Sequence, residues 1–117
     1  MKVETIYLSM IPRPQDVPVV VHVSQGDTDF TIRAGLVAKD ADFVIETGTS
    51  AVIQGRRADG SAYTANITLN GKYAIIPGAS GMTSVAGKGV YEVCLKHGGK
   101  ELHTENFYLA VEPRPAT

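Results

Sequence analysis

Cysteine and tryptophan are almost missing from this chain of 117 residues, which contains one cysteine and no tryptophan. A single cysteine excludes an internal disulfide framework and agrees with synthesis in a reducing cytosol. The paired cysteines and core tryptophan of antibody domains are excluded as well. Any likeness to the immunoglobulin fold therefore concerns topology alone.

An excess of charge of one sign is lacking too. Eleven basic and twelve acidic residues give a formal net charge of -1, so the charge balance offers no argument for binding nucleic acid or an anionic membrane. No apolar run approaches the roughly 18 residues of a membrane span, and the N-terminus lacks the apolar centre of a secretory signal. We expect neither a nucleic-acid partner nor a membrane partner.

Motifs for catalysis and cofactor binding are also lacking. No Gly-x-Ser-x-Gly elbow occurs, and the glycine-rich stretch at 78–81 does not end in the Lys-Ser/Thr pair of a phosphate-binding loop. The sequence therefore predicts no enzyme, no catalytic residue and no cofactor.

What is present is a pattern of strands, clearest in the closing segment at 87–112. Residues 90–97 alternate with the period of two of a half-buried strand, and the apolar positions are Tyr91, Val93 and Leu95. The pair Gly98-Gly99 supplies the positive φ angles of a tight hairpin turn. A two-residue loop there predicts that Cys94 faces His103, on the polar and partly exposed side of the hairpin.

The alternation changes phase further along this segment. Leu102 is even-numbered, whereas Phe107, Leu109 and Val111 are odd-numbered, so one regular strand cannot place them all on one face. We predict a bulge or a bend at 104–106. Pro113 should end the strand, because proline has no N–H for the ladder.

The earlier part of the chain also reads as strands separated by turns. Strands are predicted at 2–10, 17–23, 30–36, 51–57, 63–69 and 72–76. A short strand or an extended edge is predicted at 43–45, and a loop or a single helical turn at 77–86. About eight strands at this spacing predict an all-β fold, an antiparallel two-layer β-sandwich of Ig-like topology. We expect one domain at 1–112 and the start of a proline-rich linker at 113–117.

Two groups of residues are candidates for chemistry. The facing Cys94 and His103 have the residue types of a nucleophile pair or of two metal ligands, but a zinc site needs three or four ligands and no second cysteine exists. The aspartate pairs at 27/29 and 40/42 have residue types that bind calcium, but they lack a closing bidentate glutamate and suit turns. We therefore predict no metal site.

One surface feature points to a protein contact instead. Val20 lies in the apolar run at 17–21, yet the alternation places it on the face of the strand that should be exposed to solvent. With Pro18 and His22 it forms a candidate protein interface. The alternative is a sugar-binding surface, in which some of the five tyrosines would stack their rings against a carbohydrate.

Several stretches together resemble a known family. In order, they are Gln-Gly-Asp at 25–27, Gly-Arg-Arg-Ala-Asp-Gly at 55–60 with Ala-Tyr at 62–63, Gly-Met-Thr at 81–83 with Ala-Gly at 86–87, and Glu-Leu-His-Thr-Glu-Asn-Phe at 101–107 with Leu109, Val111 and Glu112. Their succession resembles the N-terminal domain of baseplate upper proteins of tailed phages of Gram-positive bacteria, over residues 5–113. The family usually has Lys-Pro-Asp-Gly where this chain has Arg-Ala-Asp-Gly, a change that leaves the Asp-Gly turn intact.

The resemblance implies a structural role in a virion. Such domains attach to the tail tip and help to carry receptor-binding proteins through a downstream, often trimeric, segment. It implies contacts with other tail and baseplate proteins, a homotrimer in a longer protein, and synthesis in the bacterial host cytoplasm. The alternative is a carbohydrate-binding β-sandwich that contacts the host surface. The third hypothesis is an enzyme accessory domain or a hydrolase based on Cys94 and His103.

Overall fold

The computed structural model describes residues 2–11, 18–38 and 41–114. Within them the chain is all-β, as predicted, with one four-residue helical turn. The elements are β1 Lys2–Ser9, β2 Val20–Ser24, β3 Phe30–Ala38, β4 Ala41–Asp42, β5 Ser50–Arg56, β6 Ala62–Asn70, β7 Tyr73–Pro77, α1 Ser80–Thr83, β8 Gly87–His97, β9 Lys100–His103 and β10 Phe107–Glu112.

The strands form a nearly closed mixed barrel rather than the predicted antiparallel two-layer sandwich. The main strand order is β1-β3-β7-β6-β5-β8-β10-β2, with β4 beside β3 and β9 beside β8. The first part of β6, residues 62–67, pairs with β5, and its last part, residues 68–70, pairs with β7. Because one strand is shared in this way, the sheet turns a corner at β6 and continues from β5 to β7.

Two parallel pairings are the second departure from the prediction. β1 runs parallel to β3, and β2 runs parallel to β10. Parallel strands need a crossover connection, whereas short turns report only antiparallel neighbours. The hairpin signals in the sequence therefore could not reveal these two pairs.

The barrel has a seam between β1 and β2, the two ends of the strand order. Across this seam the Lys2 Nζ donates a hydrogen bond of 3.0 Å to the backbone carbonyl of His22. The connection between the two strands includes residues 12–17, which lie outside the described residues, as do the predicted strand position Val17 and the turn residue Asp40.

The interior is lined by the apolar positions that the alternation selects. The predicted inward residues Tyr91, Val93 and Leu95 are all buried. The predicted exposure of Cys94 is wrong, because this residue was expected on a partly exposed face but is only 1% exposed. Its register partners are Val52 on one side and His103 on the other, and these larger side chains flank its small thiol.

The closing hairpin has the predicted register, with Cys94 opposite His103. Both turn glycines have positive φ, 57° at Gly98 and 79° at Gly99. The predicted irregularity at 104–106 is confirmed. Cys94 pairs with His103, and Tyr91 pairs with Phe107. The three residues 104–106 therefore lie opposite only two residues of β8, 92–93.

Thr104 stabilises this bulge from within. Its side chain is buried, and its Oγ1 accepts a hydrogen bond of 3.0 Å from the Val93 N–H. The same hydroxyl donates to the Glu105 carbonyl at 2.8 Å. The next residue, Glu105, donates its backbone N–H to the Ser9 carbonyl at 2.8 Å, which ties the bulge to β1.

Replacing Thr104 with valine is expected to lower the free energy of unfolding by about 2 kcal/mol, because an isosteric methyl leaves the buried Val93 N–H without its acceptor. Thr104→Ser keeps the hydroxyl and should lose less than about 1 kcal/mol. Urea unfolding of both variants measures the difference. Equal losses in the two variants would show that the hydroxyl does not stabilise the bulge.

Three smaller predictions can be compared with the structure. No strand forms at 43–45, since the strand pairing beside β3 involves Ala41–Asp42, although the Phe43 N–H still donates to the Leu36 carbonyl at 3.0 Å. Phe43 and Ile45 instead pack from a loop against the core. The stretch 77–86 contains a single helical turn, one of the two alternatives. β10 ends at Glu112, directly before Pro113, as predicted.

Candidate interaction surfaces

Three of the stretches that carry the family resemblance, at 25–27, 55–60 and 81–83, meet around α1. The Arg57 guanidinium donates from Nε to the Gly81 carbonyl and from Nη1 to Ser61 Oγ at 3.0 Å. Thr83 Oγ1 donates to the Asp27 carbonyl at 2.8 Å, and the Gly26 N–H donates to the Thr83 carbonyl at 2.9 Å. These contacts join three distant motifs into one network, so the motifs serve the fold.

The Asp-Gly turn in the same network has its own anchor. Asp59 Oδ1 accepts hydrogen bonds from the Ser61 hydroxyl and from the Ser61 N–H, at 2.5 Å and 2.9 Å. The hydroxyl contact, followed by the N–H contact, lowers the pKa of Asp59. Asp27 has a comparable turn role, because its Oδ2 accepts from the Ser24 N–H at 3.2 Å.

The predicted interface residues lie on or next to β2, at the seam. Pro18 and His22 are exposed, whereas Val20 is half-buried and pairs with Tyr108 of β10. The His22 ring lies 3.8 Å from the Glu112 carboxylate. The surface is therefore more polar than the sequence suggested, and its role as an interface stays a prediction.

A row of exposed apolar side chains lies on the other side of the seam and was missed by the sequence analysis. Val3, Tyr7 and Ile11 are each 50% exposed. The Tyr7 ring lies against Gly35, its register partner, where a Cβ atom would come within 2.7 Å of the ring. The signal was present, since Val3 and Tyr7 occupy the positions that alternate with the inward Ile6 and Leu8. We call Val3, Tyr7, Ile11, Pro18, Val20 and His22 together the seam surface.

A second apolar region lies at the tip of the closing hairpin. It is a groove of about 260 Å³, and its rim carries Val44, 81% exposed, and Leu102, 51% exposed. His97 borders it, with its Nδ1 3.3 Å from the Glu46 carboxylate. The groove combines apolar walls with several polar residues, which are Glu46, Thr49, His97, Lys100 and Glu101.

Most of the tyrosine rings pack against other side chains. Tyr63 and Tyr91 pack edge to face with centroids 6.2 Å apart, and Tyr91 is buried. The Arg33 guanidinium covers the Tyr73 ring at 4.1 Å, and the Lys88 ammonium lies 5.4 Å from the centre of the Tyr108 ring. A shallow groove of about 370 Å³ beside β5 and β8 includes Tyr91 but no other tyrosine.

Cys94 and His103 do come together, and acidic side chains join them. The potential ligand atoms of Cys94, Glu101 and His103 all lie within 4.8 Å of one another. Burial, followed by the nearby Glu101 carboxylate, raises the pKa of the Cys94 thiol. A nucleophilic cysteine needs the opposite shift, so this environment favours the protonated thiol.

Comparisons with known proteins agree with the fold and with the resemblance. No protein-family model matches the chain, and no curated protein sequence matches it. The chain is similar in structure to the N-terminal domain of phage TP901-1 ORF48, with a TM-score of 0.74 and 15% sequence identity, over 96% of this chain and 99% of the other. Within the described residues, no helix has the length and apolar character needed to cross a membrane. The fold of this chain is thus that of a phage protein domain, as the family resemblance predicted.

Proposed function

We propose that this chain is a structural domain of a phage tail baseplate that acts through protein–protein contacts. One observation carries the proposal, namely that the fold matches a phage domain over nearly the whole length of both chains. The succession of motifs that resembles baseplate upper proteins agrees with this proposal, and three of those motifs hold one another in place around α1. The virion tail is the corresponding location.

The finer form of the proposal follows the family resemblance. The domain attaches to the tail tip, and the chain beyond Glu112 leads into a linker and a trimeric segment that helps to carry receptor-binding proteins. The strand ending at Glu112 and the adjacent Pro113 suit a domain boundary. The domain itself has no enzymatic role in this account.

The test of the proposal is the protein composition of particles. Tailed particles from cells that produce this chain are purified by density gradient, and their proteins are identified by mass spectrometry. The chain should be found at a constant ratio to the major tail proteins. Its absence from particles, while it is abundant in the cell lysate, would refute the virion role.

The seam surface is the best candidate for the contact with a tail partner. It combines the half-exposed side chains of Val3, Tyr7 and Ile11 with the exposed Pro18 and His22 of the neighbouring edge. Large apolar side chains at half exposure bury additional area when a partner covers them, which favours association.

The double variant Val3→Lys and Tyr7→Lys is expected to reduce incorporation into particles by about tenfold or more, because a lysine buried at an interface without a partner costs more than about 1.4 kcal/mol. Quantitative mass spectrometry of complemented particles measures the effect. Val44→Lys is the control, since Val44 is even more exposed but lies outside the seam surface. Normal incorporation of the double variant, with melting unchanged, would exclude the seam surface as the contact.

The carbohydrate-binding alternative gains no support from the positions of the tyrosines. Tyr63 packs edge to face on the buried Tyr91, and Tyr7 and Tyr73 both lie against Gly35. Basic side chains lie over three of the rings, those of Tyr63, Tyr73 and Tyr108. We therefore do not adopt it.

A further inference from the structure

Four polar side chains lie close together on one side of the β8–β9 hairpin, with the Cys94 thiol buried beneath the exposed Glu101 and His103. Cys94 and His103 are directly opposite in register, and Glu101 lies two residues from His103 on the same face of β9. Glu92 lies two residues from Cys94 on the same face of β8. Strand pairing alone therefore gathers a thiol, an imidazole and two carboxylates, because side chains at i and i+2 share a face.

The imidazole in this patch is already oriented. His103 Nδ1 lies 3.1 Å from the Glu92 carboxylate oxygen Oε1. The same oxygen accepts a hydrogen bond of 3.0 Å from Gln54 Nε2. A carboxylate can only accept, so Nδ1 carries the proton in this contact, and the neutral form of the ring then has its lone pair on Nε2. That second nitrogen faces Glu101, 3.6 Å from its Oε2.

A carboxylate that holds the Nδ1–H of a histidine is the usual outer partner of a metal-binding imidazole. Thiolate, imidazole nitrogen and carboxylate oxygen are together the donor set of zinc and cobalt. We propose that Cys94, His103 and Glu101 bind one divalent transition-metal ion, with zinc the best match, and that Glu92 positions His103 for this site. The sequence alone suggested only two ligands, and the pairing of β9 with β8 supplies the third.

The geometry requires only small adjustments. The three ligand atoms lie within 4.8 Å of one another, whereas the bond lengths of a tetrahedral zinc site place such atoms about 3.5 Å apart. His103 and Glu101 have side chains 42% and 52% exposed, so both can turn toward the buried sulfur. Lys96 lies 3.7 Å from the other carboxylate oxygen of Glu101, Oε1, and leaves Oε2 available.

Three protein ligands leave a fourth position for water on the exposed side. The ion would join β8 to β9 near the closing turn and so stabilise the hairpin that carries Leu102 and the apolar groove. Its effect is structural, and this site is separate from the seam surface.

Cobalt titration of the reduced, metal-free 117-residue chain tests the proposal. One equivalent of Co²⁺ should produce a thiolate-to-cobalt charge-transfer band, and Zn²⁺ should displace it. Cys94→Ser should remove the band, and His103→Gln and Glu101→Gln should weaken binding by about tenfold or more. Glu92→Gln should weaken it by about tenfold, since it loosens the orientation of the imidazole.

His97→Gln is the matched control, because His97 is an exposed histidine of the same hairpin that also lies beside a glutamate, Glu46, but has no thiol nearby. This variant should bind cobalt like the wild type. His103 is exposed, so His103→Gln should fold normally and should lose the rise in melting temperature that Zn²⁺ gives the wild type. Absence of the charge-transfer band in the wild type, or cobalt binding that survives Cys94→Ser, would overturn the proposal.

Discussion

Replacing Gly55 with alanine is expected to lower the free energy of unfolding by about 3–4 kcal/mol, a large part of the roughly 5–15 kcal/mol that stabilises a domain of this kind. Gly55 lies in β5 opposite Tyr91 of β8. A Cβ atom there would stand 2.1 Å from the Val90 carbonyl oxygen and 2.7 Å from the Tyr91 Cα. Both are backbone atoms, so the strands themselves must separate.

Gly35→Ala is the matched control for this prediction. Gly35 is also a strand glycine, and its added Cβ would come within 2.7 Å of a neighbour. That neighbour is the half-exposed Tyr7 ring, which can rotate outward, so the expected loss is about 1 kcal/mol. Urea unfolding, followed by circular dichroism, measures both variants. A loss at Gly55 no larger than that at Gly35 would mean that β5 and β8 are not packed this closely.

Phe107→Ala is expected to lower the free energy of unfolding by about 3–5 kcal/mol through loss of buried area and creation of a cavity. Phe107 is fully buried at the start of β10. Its ring lies 6.0 Å from that of Tyr91, at the point where the bulge brings β10 back into register with β8. The residue therefore supports both the core and the change of strand phase.

The neighbouring Tyr108→Ala separates this effect from a general intolerance of β10. Tyr108 is half-buried on the outer face, where Lys88 lies above its ring, so its truncation should lose about 1 kcal/mol. The midpoints of thermal and urea unfolding should both rank Phe107→Ala as far less stable. A similar loss for both residues would show that burial in the barrel does not dominate here.

The parts of the fold that the sequence predicts are those determined by neighbours along the chain. Gly98-Gly99 determines the register of the last hairpin, because a two-residue turn leaves one pairing. The phase change between Leu102 and Phe107 reveals the bulge, because the side-chain period of a strand is two. Both predictions rest on local geometry and both are confirmed.

The parts that were missed depend on contacts between distant segments. β1 with β3 and β2 with β10 are parallel pairs, and alternation within a strand does not say which strand lies beside it. The convergence of Arg57, Gly81 and Thr83 around α1 likewise rests on hydrogen bonds from side chains to remote carbonyls. The sandwich was therefore predicted where a nearly closed barrel forms.

The predictions about the candidate sites likewise succeed where local geometry determines a position and fail where contacts between distant segments do. The facing of Cys94 and His103 follows from the predicted hairpin, and the presence of Glu101 beside them could have been read from the same register. The burial of Cys94 could not, since it depends on β5 packing along the other side of β8. The outward position of Tyr7 could have been read from the alternation of β1, but its contact with Gly35 could not, since Gly35 belongs to a parallel neighbour.

The most direct test of the central claim is the position of this domain in the particle. Antibodies raised against the 117-residue chain and coupled to gold are applied to purified tailed particles and viewed by electron microscopy. We expect gold at the end of the tail that is distant from the head, in particles of the wild type and of the Val44→Lys variant. Gold along the tail tube or on the head, or unlabelled particles in which the chain is present by mass spectrometry and accessible after mild disruption, would contradict a baseplate role.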